Sequence, residues 1–315
     1  MKKLCCLFLI ASFFLACQGQ KEKNSVNTPE MGIANGEVIP FDYDEKMLKL
    51  IIFEGLINDS ITMRVMYDTG VPSDTIIMSE KWKEDLGTSV HLQIGSIAET
   101  IGIAYKSKDL PMYEQLGHDL AIIGNPFFKG RIIEISFEDK HIRIVEDMED
   151  LEGYTQLETK ELNGFYFIPV RVFIGDKTID ESAIVDTGYN GYINFDYYTG
   201  EKYGIQPDET VYHGGSLTSQ GITDSFSMAA DSIQIADFSI PDIRAAFLKS
   251  QSARGSALLG TGVLEHFSVV LDLKDKQFYI KPNSPSLTSK DSLLLYQQIC
   301  LNKTARRDSS GFHLN

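Results

Sequence analysis

Cysteine is scarce in this chain and badly placed for cross-linking. The 315 residues hold four, Cys5, Cys6 and Cys17 near the start and Cys300 near the end. No disulfide frame is expected, so stability has to come from a buried core, which a chain of this length can build. Basic residues are also in short supply: 29 Lys and Arg against 44 Asp and Glu leave a formal net charge of −15. That balance argues against nucleic acid as a partner, because phosphate binding needs Lys/Arg patches. Histidine is sparse and scattered, at 91, 118, 141, 213, 266 and 313, with no H-E-x-x-H zinc motif. A G-x-S-x-G elbow and a Walker A loop are missing as well. No metal and no cofactor is expected. Trp82 is the lone tryptophan and is read as packing a short helix. The apolar run Leu4–Leu15 has about 12 residues, too few for a spanning helix, which needs about 20.

That run still carries information. Lys2 and Lys3 precede it and Ala16-Cys17 ends it, the layout of a targeting segment. A small residue followed by Cys resembles the lipobox of bacterial lipoproteins. The resemblance implies cleavage before Cys17, lipid on its thiol, and a protein exported and anchored in the cell envelope, on the periplasmic side or the cell surface. Phe14 and Leu15 stand where tighter versions of the motif have Leu and a small residue. The plainer alternative is an ordinary secretory signal. Residues 18–40 are polar, with Gly, Pro and Asn, and read as a flexible tether. Residues 283–315 read as a tail, with LLLYQQICL as a short helix in it.

Between these ends the chain repeats itself. One copy opens with MLKLIIFEGLINDSITMRVMYDTG at 47–70 and the other with FYFIPVRVFIGDKTIDESAIVDTG at 165–188. Each is read as a strand, a turn at Gly55 or Gly175, and a second strand ending in Asp-Thr-Gly. Each then gives a short strand and a short helix, 79–87 and 195–204, stopping at a Gly. The copies also close alike: AIIGNPFFKGRIIEISFEDKHIRI at 121–144 aligns without a gap on ALLGTGVLEHFSVVLDLKDKQFYI at 257–280. Gly124 falls on Gly260, and the pairs Asp139-Lys140 and Asp275-Lys276 fall together as hairpin turns. Period-2 patterns dominate. The fold expected is all-β and bilobal, with a few short helices and an origin in internal duplication. The lobes are expected at 41–150 and 158–282.

A single Asp-Thr-Gly reads as an ordinary surface turn. Two of them, each closing the second strand of a repeat and each followed by two apolar residues and Gly, resemble the aspartic proteases of the pepsin and retropepsin group. The resemblance covers about 45–282. It implies a two-lobed acid-protease barrel with Asp68 and Asp186 as the catalytic pair at the base of the cleft between lobes. Two carboxyl groups sharing a desolvated site cannot both ionise cheaply, so one keeps a proton while the other activates a water. Gly70 and Gly188 let the loop amides approach the carboxylates. Thr69 and Thr187, by resemblance, turn their hydroxyls to the opposite loop. Gly124 and Gly260 permit close backbone approach beneath the loops. The family has Ser, Thr or Ala after Asp-Thr-Gly; here stand Val71 and Tyr189. Loss of a hydroxyl there implies a working pH less acidic than in digestive members. Flap segments are expected within 91–105, with Gly95-Ser96 at the tip, and within 212–223. Tyr105 is read either as a flap aromatic or as an ordinary core or surface residue.

The function expected is peptide-bond hydrolysis by a monomer with both lobes in one chain, acting on a peptide or protein substrate. The alternative is an inactive two-lobed module that binds peptides or envelope partners. A dimer built like the viral enzymes is made unnecessary by two Asp-Thr-Gly loops in one chain.

Overall fold

The computed structural model describes residues 36–45, 48–146, 151–207, 211–218, 221–249, 256–283, 306–308 and 311–313. By its contacts the chain divides into Met1–Gly32 and Ile33–Asn315, and the described residues all belong to the second unit. The expected signal segment, Cys17, most of the tether and the LLLYQQICL segment lie outside them.

The chain enters on β1 (Val38–Pro40), a strand where the sequence reads as tether. Its residues pair with the lobe that follows, Ile39 opposite Ile142, and Ile39 is buried. The alternation of Val38, Ile39 and Pro40, one inward between two outward, suits an edge strand, where Pro need not donate. The tether therefore stops short of residue 38.

Six strands then close a barrel: β2 (Ile52–Ile57), β3 (Ile61–Tyr67), β4 (Thr75–Ser79), β5 (Ser89–Ile94), β6 (Ile97–Lys106) and β7 (Leu120–Ile123), in the order β2-β3-β7-β4-β6-β5. The expected turn at Gly55 is displaced. Gly55 sits inside β2, opposite Met63, and the chain reverses at Asn58-Asp59, both at positive φ. Asn and Asp tolerate that conformation and make a tight hairpin turn. A methyl on Gly55 would meet Val65 at 2.6 Å and Leu92 at 3.1 Å, so this glycine serves barrel closure instead.

The second lobe repeats the arrangement. It follows β8 (Ile132–Ser136), β9 (His141–Val145), β10 (Thr155–Leu157) and β11 (Lys160–Leu162), and uses β12 (Phe165–Ile174), β13 (Lys177–Val185), β14 (Ile193–Phe195), β16 (Gly221–Ile235), β17 (Phe238–Leu248) and β18 (Ala257–Leu259). The order is β12-β13-β18-β14-β17-β16, and a β12–β16 pairing joins the ends. The strand senses correspond throughout. The β3–β7 and β4–β6 pairs are parallel, as are β13–β18 and β14–β17. Strand β12 shows why this sequence makes a barrel wall: Tyr166, Ile168, Val170, Val172 and Ile174 alternate inward and are buried. The rings of Phe195, Phe226 and Phe247 stack inside this lobe, while Phe53, Tyr67 and Phe128 pack edge-on in the first.

One six-stranded sheet belongs to both lobes. Its order is β1-β9-β8-β19-β20-β10, with β19 (Phe267–Asp272) and β20 (Gln277–Pro282) from the second repeat. The closing hairpin of each copy pairs with its counterpart through β8 and β19, Val270 opposite Glu134. Both hairpins turn at the expected Asp-Lys pairs, with Lys140 and Lys276 at positive φ. The short helices are α1 (Lys83–Leu86), which follows a 3-10 turn at Glu80–Trp82, then α2 (Pro111–Leu116), α3 (Tyr197–Lys202) and α4 (Thr261–Leu264). Gly87 and Gly204 stand at positive φ beyond α1 and α3, the conformation that ends a helix.

Candidate active site

Asp68 follows β3 directly and Asp186 follows β13. Each is held by the strand that runs parallel to its own. The Asp68 amide donates to the Ile123 carbonyl and the Asp186 amide to the Leu259 carbonyl, both at 2.9 Å. Ile123 and Leu259 are the residues before Gly124 and Gly260. Each loop then turns tightly, Val71 donating to the Asp68 carbonyl at 3.0 Å and Tyr189 to the Asp186 carbonyl at 3.2 Å. The glycines beneath are required by this geometry. A methyl on Gly124 would stand 1.8 Å from the Val71 carbonyl oxygen, and one on Gly260 would stand 2.4 Å from that of Tyr189.

The two loops are tied to each other by their threonines. The Thr69 hydroxyl donates to the Val185 carbonyl at 2.7 Å and accepts from the Thr187 amide at 3.0 Å. The Thr187 hydroxyl donates to the Tyr67 carbonyl at 2.8 Å and accepts from the Thr69 amide at 3.0 Å. Both threonines are buried, so all four bonds lie out of water.

The carboxyl groups meet at this junction. Asp68 Oδ1 accepts from the Gly70 amide at 2.8 Å, and Asp186 Oδ1 from the Gly188 amide at 3.0 Å. Each carboxyl also rests on the glycine of the opposite loop. A methyl on Gly70 would come within 2.8 Å of Asp186 Oδ1, and one on Gly188 within 2.3 Å of Asp68 Oδ2. Only glycine leaves room for the two acids here. Their settings differ, since Asp186 is 7% exposed while Asp68 is less deeply buried. Of the residues singled out in the sequence, the structure thus brings together Asp68, Thr69, Gly70, Gly124, Asp186, Thr187, Gly188 and Gly260. Cys17 lies outside the described residues.

Other neighbours were not legible in the sequence. Tyr67, next to Asp68, donates to Asn125 Oδ1 at 2.6 Å, and its burial pushes the phenol pKa far up. Across the lobes, Lys49 pairs with Glu265, which also accepts from the Tyr43 hydroxyl at 2.9 Å. The Thr261 hydroxyl donates to the Lys49 carbonyl at 2.7 Å and contacts the Tyr189 carbonyl at 3.2 Å, tying the chain before β2 to the Asp186 loop. The one available signal was a lysine set in the apolar run MLKLII, which has to be paired if buried.

The expected flaps divide unevenly. Gly95-Ser96 forms the tight turn between β5 and β6 and lies against β1, where the Ser96 amide donates to Glu37 at 2.6 Å. Tyr105, on β6, donates to the Gly87 carbonyl at 2.8 Å. Neither belongs to a flap, because the 91–105 segment is consumed in closing the barrel. In the second lobe the expectation fits a hairpin. Strand β15 (Tyr212–Thr218) pairs with the first half of β16 and reaches α2 of the first lobe. At the corresponding place, between β4 and β5, the first lobe has the 3-10 turn and α1 instead. A separate groove of about 1000 Å³ runs along the lobe seam past Pro72, Asn125, Gly164 and Tyr166, and neither aspartate lines it.

A scan against protein-family models finds no match, and no curated protein matches the chain. Among solved structures the chain is similar to the crystal structure of a retropepsin-like aspartic protease from Rickettsia conorii. The TM-score is 0.32 and the identity 20%, over 40% of this chain and 98% of that one. A likeness at that level establishes neither family nor activity. The duplicated strand order and the bonds between the two loops stand without it. Among the described residues, no group of His, Cys, Asp and Glu is arranged to hold a metal ion, and no helix is long and apolar enough to cross a membrane.

Proposed function

We propose that this chain is an aspartic-type endopeptidase in which Asp68 and Asp186 activate one water between them. The observation that carries the proposal is reciprocal: each carboxyl group rests on the glycine of the other's loop while the two threonines exchange bonds. Two acids so close share a proton in the free enzyme, because the second ionisation is opposed by the first charge and by burial. The ionised partner takes a proton from the water as its oxygen attacks the scissile carbonyl. The protonated partner donates to that carbonyl oxygen. The tetrahedral diol then collapses as a proton passes to the leaving amine. The pair titrates as a unit, so neither aspartate has a fixed role. The amides of Gly70 and Gly188 hold the carboxylates in place throughout.

Val71 has no hydroxyl to offer Asp68, and the Tyr189 ring folds back over its own loop, with a methyl on Gly191 only 2.2 Å from its hydroxyl oxygen. With Val71 in place of a hydroxyl-bearing residue beside Asp68, the rate profile should peak at a less acidic pH than in an enzyme with Ser or Thr there. The substrate is an extended peptide laid across the cleft, with the β15–β16 hairpin supplying an edge to pair with. Export and a lipid on Cys17 complete the proposal and rest on the first 17 residues.

The experiment compares the native chain with Asp68→Asn and Asp186→Asn on a mixed peptide library from about pH 3 to 8. The native chain should cleave, and each variant should lose activity by about a thousandfold or more. A Cys17→Ser chain in the same assay should carry activity from the membrane into the soluble fraction. Equal cleavage by the three dyad forms, or none by any, removes the proposal, and binding without cleavage would favour a peptide-binding module.

A further inference from the structure

Beside the Asp68 loop, one row of side chains crosses the outer face of the first barrel. Met66 lies opposite Ile122, Ile122 opposite Ile77, and Ile77 opposite Ala104. Met66 stands two residues before Asp68, at the end of β3. In the second lobe the same row is Ile184, Leu258, Asn194 and Ala246. The first-lobe row is covered. Met112 and Tyr113 of α2 close over it in a separate apolar cluster, with Leu110, Leu116 and Val71 at its rim. Val71 is the residue after Asp68-Thr69-Gly70, so this cluster adjoins the catalytic loop. The same helix also contacts the β15–β16 hairpin of the second lobe. It therefore links the cluster that adjoins the Asp68 loop to the hairpin.

The seat is imperfect. The Tyr113 hydroxyl is buried without a hydrogen-bond partner, which costs free energy for as long as the ring stays in place. The helix has only six residues and lacks a side-chain N-cap. It runs into Gly117 at φ +96°, a backbone state open to glycine and suited to a hinge.

We propose that α2 is a displaceable lid that occupies the apolar subsite beside Asp68, and that a peptide enters by putting a large apolar side chain where Met112 and Tyr113 now sit. This rests on the endopeptidase reading and adds its regulation: the free protein is self-occupied, and apparent affinity is reduced by the fraction of chains with the lid seated.

The molecule carries its own reporter. Trp82, the single tryptophan, donates from Nε1 to the His118 carbonyl at 2.7 Å, and the His118 ring stacks on Tyr113 with centroids 5.8 Å apart. Lid movement should change the surroundings of Trp82.

The test uses the full chain with Asp68→Asn, so that peptide is not consumed. It is titrated with a dye-labelled extended peptide carrying Phe-Leu at its centre, and with the same peptide carrying Ser-Ser. Binding is read by anisotropy, and the lid by Trp82 emission and by hydrogen exchange over 110–117. The Phe-Leu peptide should bind, shift the emission and speed exchange at α2. The Ser-Ser peptide should do none of these. Leu116→Ala loosens the seat and should tighten Phe-Leu binding about tenfold. Tyr113→Phe removes the unpaired hydroxyl while keeping the ring, so it should hold the lid down and weaken binding about threefold. Phe-Leu binding with unchanged emission and exchange, equal in all variants, overturns the lid and leaves the endopeptidase reading standing. No Phe-Leu binding by either the Asp68→Asn chain or the same chain with Leu116→Ala added removes both.

Discussion

At the scale of single residues, Thr69 does more than a surface threonine could. Its hydroxyl donates to one buried partner and accepts from another, both in the opposite lobe. Thr69→Val would keep the shape and strand both partners. Each buried group left unpaired costs about 1–3 kcal/mol, so the urea midpoint should fall well below that of the native chain. Thr69→Ser, which keeps the hydroxyl, should stay close to native. Because Thr187 makes a separate pair of bonds of the same kind, Thr187→Val should lower the midpoint by a similar amount. Equal midpoints for Val and Ser would show that the bonds contribute nothing.

His266 offers a second residue-scale test. Burial, helped by the Lys49 charge, lowers its pKa from 6.5 to about 4. The unfolded chain takes up the proton first as pH falls, so it is favoured increasingly from about pH 6.5 down to about 4. Above that window both states are neutral at this site and its contribution is flat. His266→Gln should flatten the decline of the urea midpoint across the window. An unchanged slope would assign the decline to other groups.

At the scale of elements, the copies were legible where period-2 patterning and turn chemistry agree. The alternation in FYFIPVRVFI predicts β12, and the Asp-Lys turns predict the closing hairpins. The reading failed where two turn formers competed. Gly55 suggests a reversal as readily as Asn58-Asp59, and only barrel closure decides between them, because Val65 and Leu92 need the space beside a bare Cα. It also failed where the copies differ. The stretch between β4 and β5 and the stretch between β14 and β16 hold the same place in the repeat. One forms a 3-10 turn and α1, while the other continues through α3 into a hairpin. A helix at α2 was not legible in the sequence, because Met112, Tyr113 and Leu116, with Leu110 at the N-cap, give an apolar face too short for the 3.6-residue period to stand out. What that face covers was not inferable from it.

At the scale of the whole molecule, the lobes are joined by a sheet as well as by the threonines. Strands β8 and β19 are central in it, and separating the copies would bare an edge on each. Residues 36–150 and 151–283, produced separately, should each self-associate, and mixing them should give a one-to-one complex by sedimentation. The intact chain should unfold in urea in a single transition seen alike by fluorescence and circular dichroism. Two folded monomeric halves that ignore each other would contradict this account of the joint.

The sequence alone determined the duplication, the strand-rich class and the identity of the paired acidic loops, because these follow from local patterns that recur at matching places. It could also name the glycines, since a loop that must pass close to another backbone leaves few other choices. Tertiary structure decided the rest: the sheet shared between hairpins far apart in the chain, the burial of Lys49 against Glu265, the β15–β16 hairpin that reaches α2 of the other lobe, and the helix packed in the cluster that adjoins the Asp68 loop. Each of these depends on which surfaces meet after the chain has folded, and that information is spread over partners with no regular spacing between them.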